Sequence, residues 1–123
     1  MEGRRASRVA DEIRRRLGDI LTRKVSDPRL AHLSITDVVV TKDLRIARIY
    51  YHVMPGEEGT RETVEKGIEK AAGFIKRELS SLLYLKYMPE LEFRYDETID
   101  KAERVETLLK ELKEQNREED NGG

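Results

Sequence analysis

Two β-branched segments separated by only two polar residues constrain the fold of this chain more than any other feature. Residues 33–41 and 44–53 are rich in Val, Ile, Thr and Tyr, and only Lys42 and Asp43 lie between them. So short a separation favours an antiparallel hairpin. The apolar alternation of the first segment slips near Asp37, which predicts a β-bulge at that position.

Helical patterns flank the hairpin on both sides. Apolar residues recur at a helical period from Arg4 to Val25 and again from Thr60, a predicted N-cap, to about residue 85. A proline follows each pattern and favours its end. The second pattern contains three small residues, Ala71, Ala72 and Gly73, which predict either a kink that divides the helix in two or a close packing contact.

A short strand at residues 91–95 and a last helix complete the pattern. The long helical crossover places this strand parallel to the second strand. We therefore predict an α+β fold, α-β-β-α(kink)α-β-α, in which helices cover one face of a three-stranded mixed sheet. Asp96 and Asp100 are expected as turn or cap residues. The buried side of the last helix is predicted to consist of Ala102, Val105, Leu108, Leu109 and Leu112.

The chain reads as one domain over residues 1–112, followed by an acidic, flexible tail over residues 113–123 that lacks apolar side chains. Its net charge of −1 conceals a balance of +4 in residues 1–29 and −6 in residues 90–123. Such asymmetry suggests a polyanion-binding end. An unevenly charged, solvated surface is the open alternative.

Composition excludes several classes of protein. The chain has no cysteine, and no apolar run approaches the roughly 18 residues that span a bilayer. The first residues carry charge where a secretory signal would be apolar. We therefore expect a soluble, cytoplasmic, monomeric protein that needs no membrane, disulfide or cofactor.

The order of elements resembles the K-homology arrangement of type II, with its extra elements on the N-terminal side. The residues that carry a further resemblance are 8–13, 27–29, 41–44 with Ala47, 71–75, 78–79, and 89–91 with Phe93 and Asp96. No single segment is diagnostic, but their order and spacing together are specific. Over about residues 1–112 the chain resembles the ribosome-binding factor A family.

The resemblance implies a bacterial, non-catalytic assembly factor that binds the immature 30S subunit and its 16S rRNA. It also implies a role in late maturation, in processing of the precursor 5′ end and in growth in the cold. Ala71, Ala72 and Gly73 match the interhelical Ala-x-Gly kink of the family. The chain departs from the family at Lys76, Tyr84 and Lys86, where arginine is common, so bidentate phosphate recognition is lost there.

Cations on the first helix, at the hairpin tip and around the small residues are the candidate RNA-binding residues, because phosphate recognition requires positive charge. Solvated faces with internal ion pairs are the alternative: Asp11 has i,i+4 spacing to Arg15, and Glu69 and Glu78 compete for cations near Gly73. The candidates are Arg4, Arg5, Arg8, Arg15, Lys42, Arg45, Lys70, Lys76, Arg77 and Lys86.

Two further features remain open from the sequence. Backbone amides at the Gly73 kink are expected either to approach a phosphate or merely to pack tightly. Arg48, Tyr50 and His52 share one strand face, where an aromatic ring either stacks on a base or covers apolar surface. The same choice applies to the tyrosines at positions 84 and 87.

Catalysis is not expected. His32 and His52 are the only histidines, and neither has a partner at a catalytic or metal-binding spacing. A rival to RNA binding is a protein-interaction module that uses the acidic C-terminal helix to regulate a ribosome-associated GTPase or a ribosomal protein.

Overall fold

The computed structural model describes residues 3–54 and 60–122 and confirms the α+β class. The proline and glycines between Met54 and Thr60 predict a loop there, and its central residues 55–59 lie outside the described residues. A short 3₁₀ turn, Pro28–Leu30, connects the first helix to the sheet. The helices and strands, in chain order, are α1 (Arg4–Arg23), β1 (Leu33–Val40), β2 (Ile46–Val53), α2 (Arg61–Leu82), β3 (Glu90–Tyr95) and α3 (Thr98–Gly122).

The three strands form one mixed sheet in the order β1-β2-β3. β1 and β2 are antiparallel, and β2 and β3 are parallel, as predicted, so that Ile46 lies beside Glu90 where both strands begin. The register of β1 shifts between Ile35 and Asp37, which confirms the predicted bulge. Thr36, the residue within that bulge, donates its hydroxyl to Asp96 at 2.7 Å.

The hairpin connection is longer than predicted, because β1 ends at Val40 and β2 begins only at Ile46. Within it, the Leu44 amide donates to the Thr41 carbonyl at 2.8 Å. The Asp43 carboxylate accepts from the Thr41 hydroxyl at 2.7 Å and from the Arg45 amide at 3.1 Å. These bonds hold Leu44 at a φ of 61°, a left-handed conformation that a leucine rarely adopts and that costs about 1–3 kcal/mol.

The core lies between the sheet and two helices, α1 and α2, which pack on the same face of it. The stripe of α1 predicted from its periodicity is buried, and Ile13 and Leu17 are completely inaccessible to solvent. Ile75 and Leu79 of α2 and Ile49 of β2 are equally inaccessible. Burial of these apolar side chains makes the largest favourable contribution to the free energy of folding. The rest of the chain is strongly charged, since charged residues make up 40% of the sequence.

Helix α2 corrects one element of the prediction. It begins after Thr60, whose hydroxyl accepts from the Thr63 amide at 3.2 Å and confirms the predicted N-cap. From there it continues without interruption to Leu82, so the predicted division at Ala71, Ala72 and Gly73 is not observed. A glycine inside a helix costs only about 1 kcal/mol, and buried side chains on both sides of Gly73 offset that cost.

The close contact that a small residue permits occurs instead at Gly67. A Cβ atom at this position would lie 3.0 Å from Leu30 Cδ2 and 3.2 Å from Arg29 Cβ. At Gly73 the nearest atom to such a Cβ would be Arg77 Nη1, at 3.8 Å. Gly67 therefore allows the 3₁₀ turn to pack directly against α2.

Helix α3 does not bury the side that was predicted to be buried. Val105, Leu108, Leu109 and Leu112 are each more than half exposed, and Ala102 is exposed as well. The reason is that α1 and α2 already cover the apolar face of the sheet. The helix also continues to Gly122, through the segment predicted to be a flexible tail, where Glu, Lys and Arg are strong helix formers.

Candidate nucleic-acid interface

A cleft of 560 Å³ opens at the edge of the sheet where β2 and β3 begin. Arg5 enters it from the start of α1, Arg45 from the hairpin connection and Lys76 from α2, while Lys86 enters from the loop between α2 and β3. We call this the basic cleft. Parallel strands begin at the same edge, and Glu90 donates its amide to the Arg45 carbonyl at 2.8 Å, which brings these distant segments together.

Two carboxylates, Asp43 and Glu90, also line the basic cleft. Hydrogen bonds from the Thr41 hydroxyl and the Arg45 amide lower the pKa of Asp43. The same two bonds show that its carboxylate stabilises the hairpin connection. Its ion pair with Arg45 is long, at 3.9 Å, and both side chains are mostly exposed. Such a pair contributes little, so Arg45 remains available to an external anion.

Most of the predicted RNA-binding cations have no carboxylate partner in the described part of the chain. Of the ten, only Arg45 has an ion-pair partner among the residues that the structure describes. The alternative pair of Asp11 and Arg15 is not formed there, and Glu78 pairs with Lys24 at 2.7 Å instead of with the cations near Gly73. The positive charge at this end of the molecule is therefore not neutralised by its own carboxylates within the described ranges.

The remaining cations lie outside the lining of the basic cleft. Arg4, Arg8 and Arg15 are exposed at helical spacing along α1, and Lys42 approaches the start of that helix at Gly3. Lys70 instead lines a separate depression, with Lys24, Asp27 and Arg29. Arg77 lies beside Gly73. The structure thus gathers four of the predicted cations into one cleft.

Apolar and aromatic groups accompany the cations. Leu44, Leu85 and Met88 line the basic cleft and are partly buried against the core. Tyr87 also lines it, with 76% of its surface exposed, and the Lys86 ammonium lies 5.6 Å from its ring centroid. Tyr84, which is fully exposed, is not part of the lining.

The small residues of α2 offer no free backbone donor to a phosphate. Because the helix runs through Gly73, the amides around it bond to carbonyls four residues earlier. Ala71 packs against the core, Ala72 lines another groove and Gly73 faces solvent. The alternative in which backbone amides at a kink approach a phosphate is therefore not observed. Side chains, not amides, form the candidate anion-binding surface.

His52 lies on the strand face for which the sequence left base stacking open, and the structure buries it. It is only 6% exposed, because the start of α3 covers it, and its Nε2 lies 3.2 Å from Asp100. Asp100 also accepts from the Tyr95 hydroxyl at 2.6 Å, and the two hydrogen bonds lower its pKa. Burial and this bond raise the pKa of Tyr95 to about 12. These three residues fasten the first turn of α3 to the sheet.

In residues 3–54 and 60–122, no three His, Cys, Asp or Glu side chains are grouped so that they could hold a metal ion. None of the helices there is both long and apolar enough to cross a bilayer.

The family model described as "Ribosome-binding factor A" matches residues 5–109. The crystal structure of ribosome-binding factor A from Thermus thermophilus superposes with a TM-score of 0.63 at 21% identity, covering 73% of this chain and 93% of that one.

Two further structures are similar. A Thermotoga maritima protein, whose description assigns it provisionally to ribosome-binding factor A, has a TM-score of 0.58 at 27% identity, with 74% of this chain and 86% of that chain covered. The third is a Thermus thermophilus homology model fitted into a cryo-electron microscopy map of a 30S–ribosome-binding factor A complex. It has a TM-score of 0.58 at 22% identity over 71% of this chain and 90% of that chain.

Proposed function

Because this chain belongs to the ribosome-binding factor A family, we propose that it binds the immature 30S ribosomal subunit through 16S rRNA. The contact surface consists of the basic cleft and the adjoining exposed face of α1. The fitted Thermus thermophilus model, described as part of a 30S complex, supports this choice of partner.

The observation that carries the proposal is that most cations at one end of the molecule form no ion pair with the residues that the structure describes. Each phosphate that a Lys or Arg side chain neutralises releases condensed counterions, which favours binding. Cations that already pair within the protein would have to exchange one partner for another. Arg4, Arg5, Arg8, Lys76 and Lys86 have no such partner among the described residues, so they bind phosphate without that exchange.

The proposed mechanism involves no chemical step. A protein that binds one conformation of folded rRNA more tightly than others shifts the population toward it. In this way the protein, as a cytoplasmic monomer, would support late maturation of the subunit, processing of the 16S precursor 5′ end and growth in the cold. We assign RNA binding to residues 1–112 and treat residues 113–123 as dispensable for it.

Sedimentation with precursor subunits tests the proposal. The tagged protein should co-migrate with immature 30S particles through a sucrose gradient. Reversal of charge at Arg4, Arg5 and Arg8 to Glu should abolish that co-migration, because three exposed cations of α1 are replaced by anions. The matched control reverses the exposed Lys101, Lys110 and Lys113 of α3 and should leave co-migration unchanged. Equal loss in both variants would argue against the assigned surface.

One observation favours a second candidate function, a protein-interaction module built on α3. This helix presents Val105, Leu108, Leu109 and Leu112 on one face, each more than half exposed. Exposed apolar stripes at helical spacing are typical of helices that dock into grooves of partners. A ribosomal protein or a ribosome-associated GTPase would be the partner.

Substitution of Leu108 and Leu109 by Lys discriminates between the two functions. If α3 serves a protein partner, the double variant should lose the ribosomal protein or GTPase while its affinity for isolated 16S rRNA is retained. Deletion of residues 113–123 provides the matched test of the acidic end. Retention of every protein partner by both variants would rule out the second candidate.

A further inference from the structure

The basic cleft differs from a row of surface cations because three apolar side chains also line it. Leu44, Leu85 and Met88 line it, and each is partly buried against the core. A phosphate backbone is charged, so it gains no binding energy from contact with apolar side chains. A duplex keeps its bases stacked inside the helix, so it presents sugar and phosphate to a protein surface. An unpaired base, by contrast, is apolar on both faces of its ring and seeks such surroundings.

Tyr87 supplies an aromatic surface at the same place. Its side chain is 76% exposed although it lines the cleft, so little of its ring is used for packing. The ammonium of Lys86 lies over the ring at 5.6 Å from its centroid, so a cation is placed next to the aromatic surface. An aromatic ring next to a cation is the arrangement that single-stranded nucleic acid binders use.

Leu44 indicates that the apolar lining is retained at a cost. It adopts a φ of 61°, a conformation in which Gly or Asn would avoid strain. Its side chain nonetheless occupies the cleft and contacts the core. Strain of this kind concentrates at functional sites, so the leucine side chain is better explained by what it presents than by the turn it occupies.

We propose that the basic cleft binds one unpaired RNA nucleotide, whose base stacks on Tyr87 above the apolar lining and whose phosphates contact Arg5, Arg45, Lys76 and Lys86. Its volume of 560 Å³ is in the range of small-ligand sites. This inference deepens the proposed rRNA binding and rests on it: the cations supply affinity for any RNA, and the cleft adds a preference for an unstacked nucleotide.

Binding of two short RNAs by fluorescence anisotropy tests the proposal. The probes are an unstructured oligonucleotide of about ten nucleotides and a blunt duplex of the same length. Wild-type protein should bind the single strand more tightly than the duplex. Tyr87→Ala should weaken single-strand binding by at least about fivefold and leave duplex binding unchanged, because stacking contributes only to an unpaired base.

Two further variants complete the test. Leu44→Gly removes the apolar side chain while glycine readily keeps the left-handed backbone, so it should reproduce the loss seen with Tyr87→Ala. Tyr84→Ala, a change at a fully exposed tyrosine outside the lining, should alter neither affinity. In wild-type protein, the Leu44 methyl resonances should shift on addition of the single strand and not on addition of the duplex.

Equal affinity of wild-type protein for both probes, an equal effect of the two tyrosine variants or unshifted Leu44 methyl resonances would overturn the nucleotide site. Those outcomes leave the proposed ribosomal function intact, because sedimentation with 30S precursors measures it independently. Conversely, single-strand preference without co-migration would retain the cleft and refute the ribosomal partner.

Discussion

At the residue scale, two glycines of the same helix have opposite roles. Gly67 faces the 3₁₀ turn, where Leu30 is buried and Arg29 is fixed by bonds to Asp27 at 2.6–3.2 Å, so neither neighbour can move easily. Gly73 faces solvent. The sequence singled out Gly73 because small residues cluster around it, whereas the partner of Gly67 lies far away along the chain and leaves no local signal.

This difference predicts opposite effects of the same substitution. Gly67→Ala should lower the free energy of unfolding by about 1 kcal/mol, because the added methyl crowds Leu30 and overpacking outweighs the gain in helix propensity. Gly73→Ala should raise it by about 0.5–1 kcal/mol, since it gains propensity without a clash. Urea denaturation of both variants measures the two values. Stabilisation by both substitutions would contradict the packing described for Gly67.

A second prediction at this scale concerns Asp96 and acid. Hydrogen bonds from Thr36 and Thr98 lower the pKa of Asp96 from 3.8 to about 2. A carboxyl with a lowered pKa stabilises the fold above its unfolded-state pKa, and this contribution is lost as pH falls through the folded value. The stability difference between wild type and Asp96→Asn should therefore shrink between about pH 4 and pH 2.

Chemical denaturation at several pH values measures that difference. Asp11→Asn is the control, because Asp11 is exposed and makes no side-chain hydrogen bond within the described ranges. Its difference from wild type should stay constant over the same interval. A pH-independent effect of Asp96→Asn would show that its hydrogen bonds do not act through the ionised form.

At the scale of elements, burial separates what the sequence predicts well from what it predicts poorly. The apolar period of α1, the hairpin, the bulge near Asp37 and the parallel direction of β3 were all predicted, because each follows from local spacing or from a short list of allowed connections. The apolar stripe of α3 has the same period as that of α1. The period of apolar residues in the sequence cannot distinguish a stripe that is buried in the core from one that is exposed to solvent.

The exposure of α3 to solvent leads to a third prediction. Residues 113–119 are exposed, so removal of residues 113–123 should change the free energy of unfolding of the remaining chain by less than about 0.5 kcal/mol. Circular dichroism should register the lost helix, while the unfolding transition followed by denaturant should stay in place. A marked fall in stability would mean that this end of α3 packs on the body.

At the scale of the whole molecule, charge is distributed so that one end can approach a polyanion. Cations of four separate segments line one cleft, whereas residues 90–123 carry a net −6. The sequence predicted the cations as a set but not the cleft, because the cleft depends on the path of residues 83–89 and on the strained connection at Leu44. Neither feature produces a repeating pattern of apolar and polar residues from which it could be predicted.

The salt dependence of binding to immature 30S subunits tests the central claim most directly. Replacement of Arg5, Arg45 and Lys76 by Gln should reduce the slope of log K against log salt by about one for each phosphate contact removed. Gln at Lys24, Arg61 and Arg94, which lie outside the basic cleft and pair with carboxylates at 2.7–3.2 Å, should leave the slope unchanged. Identical slopes for wild type and both triple variants would contradict phosphate recognition at the basic cleft.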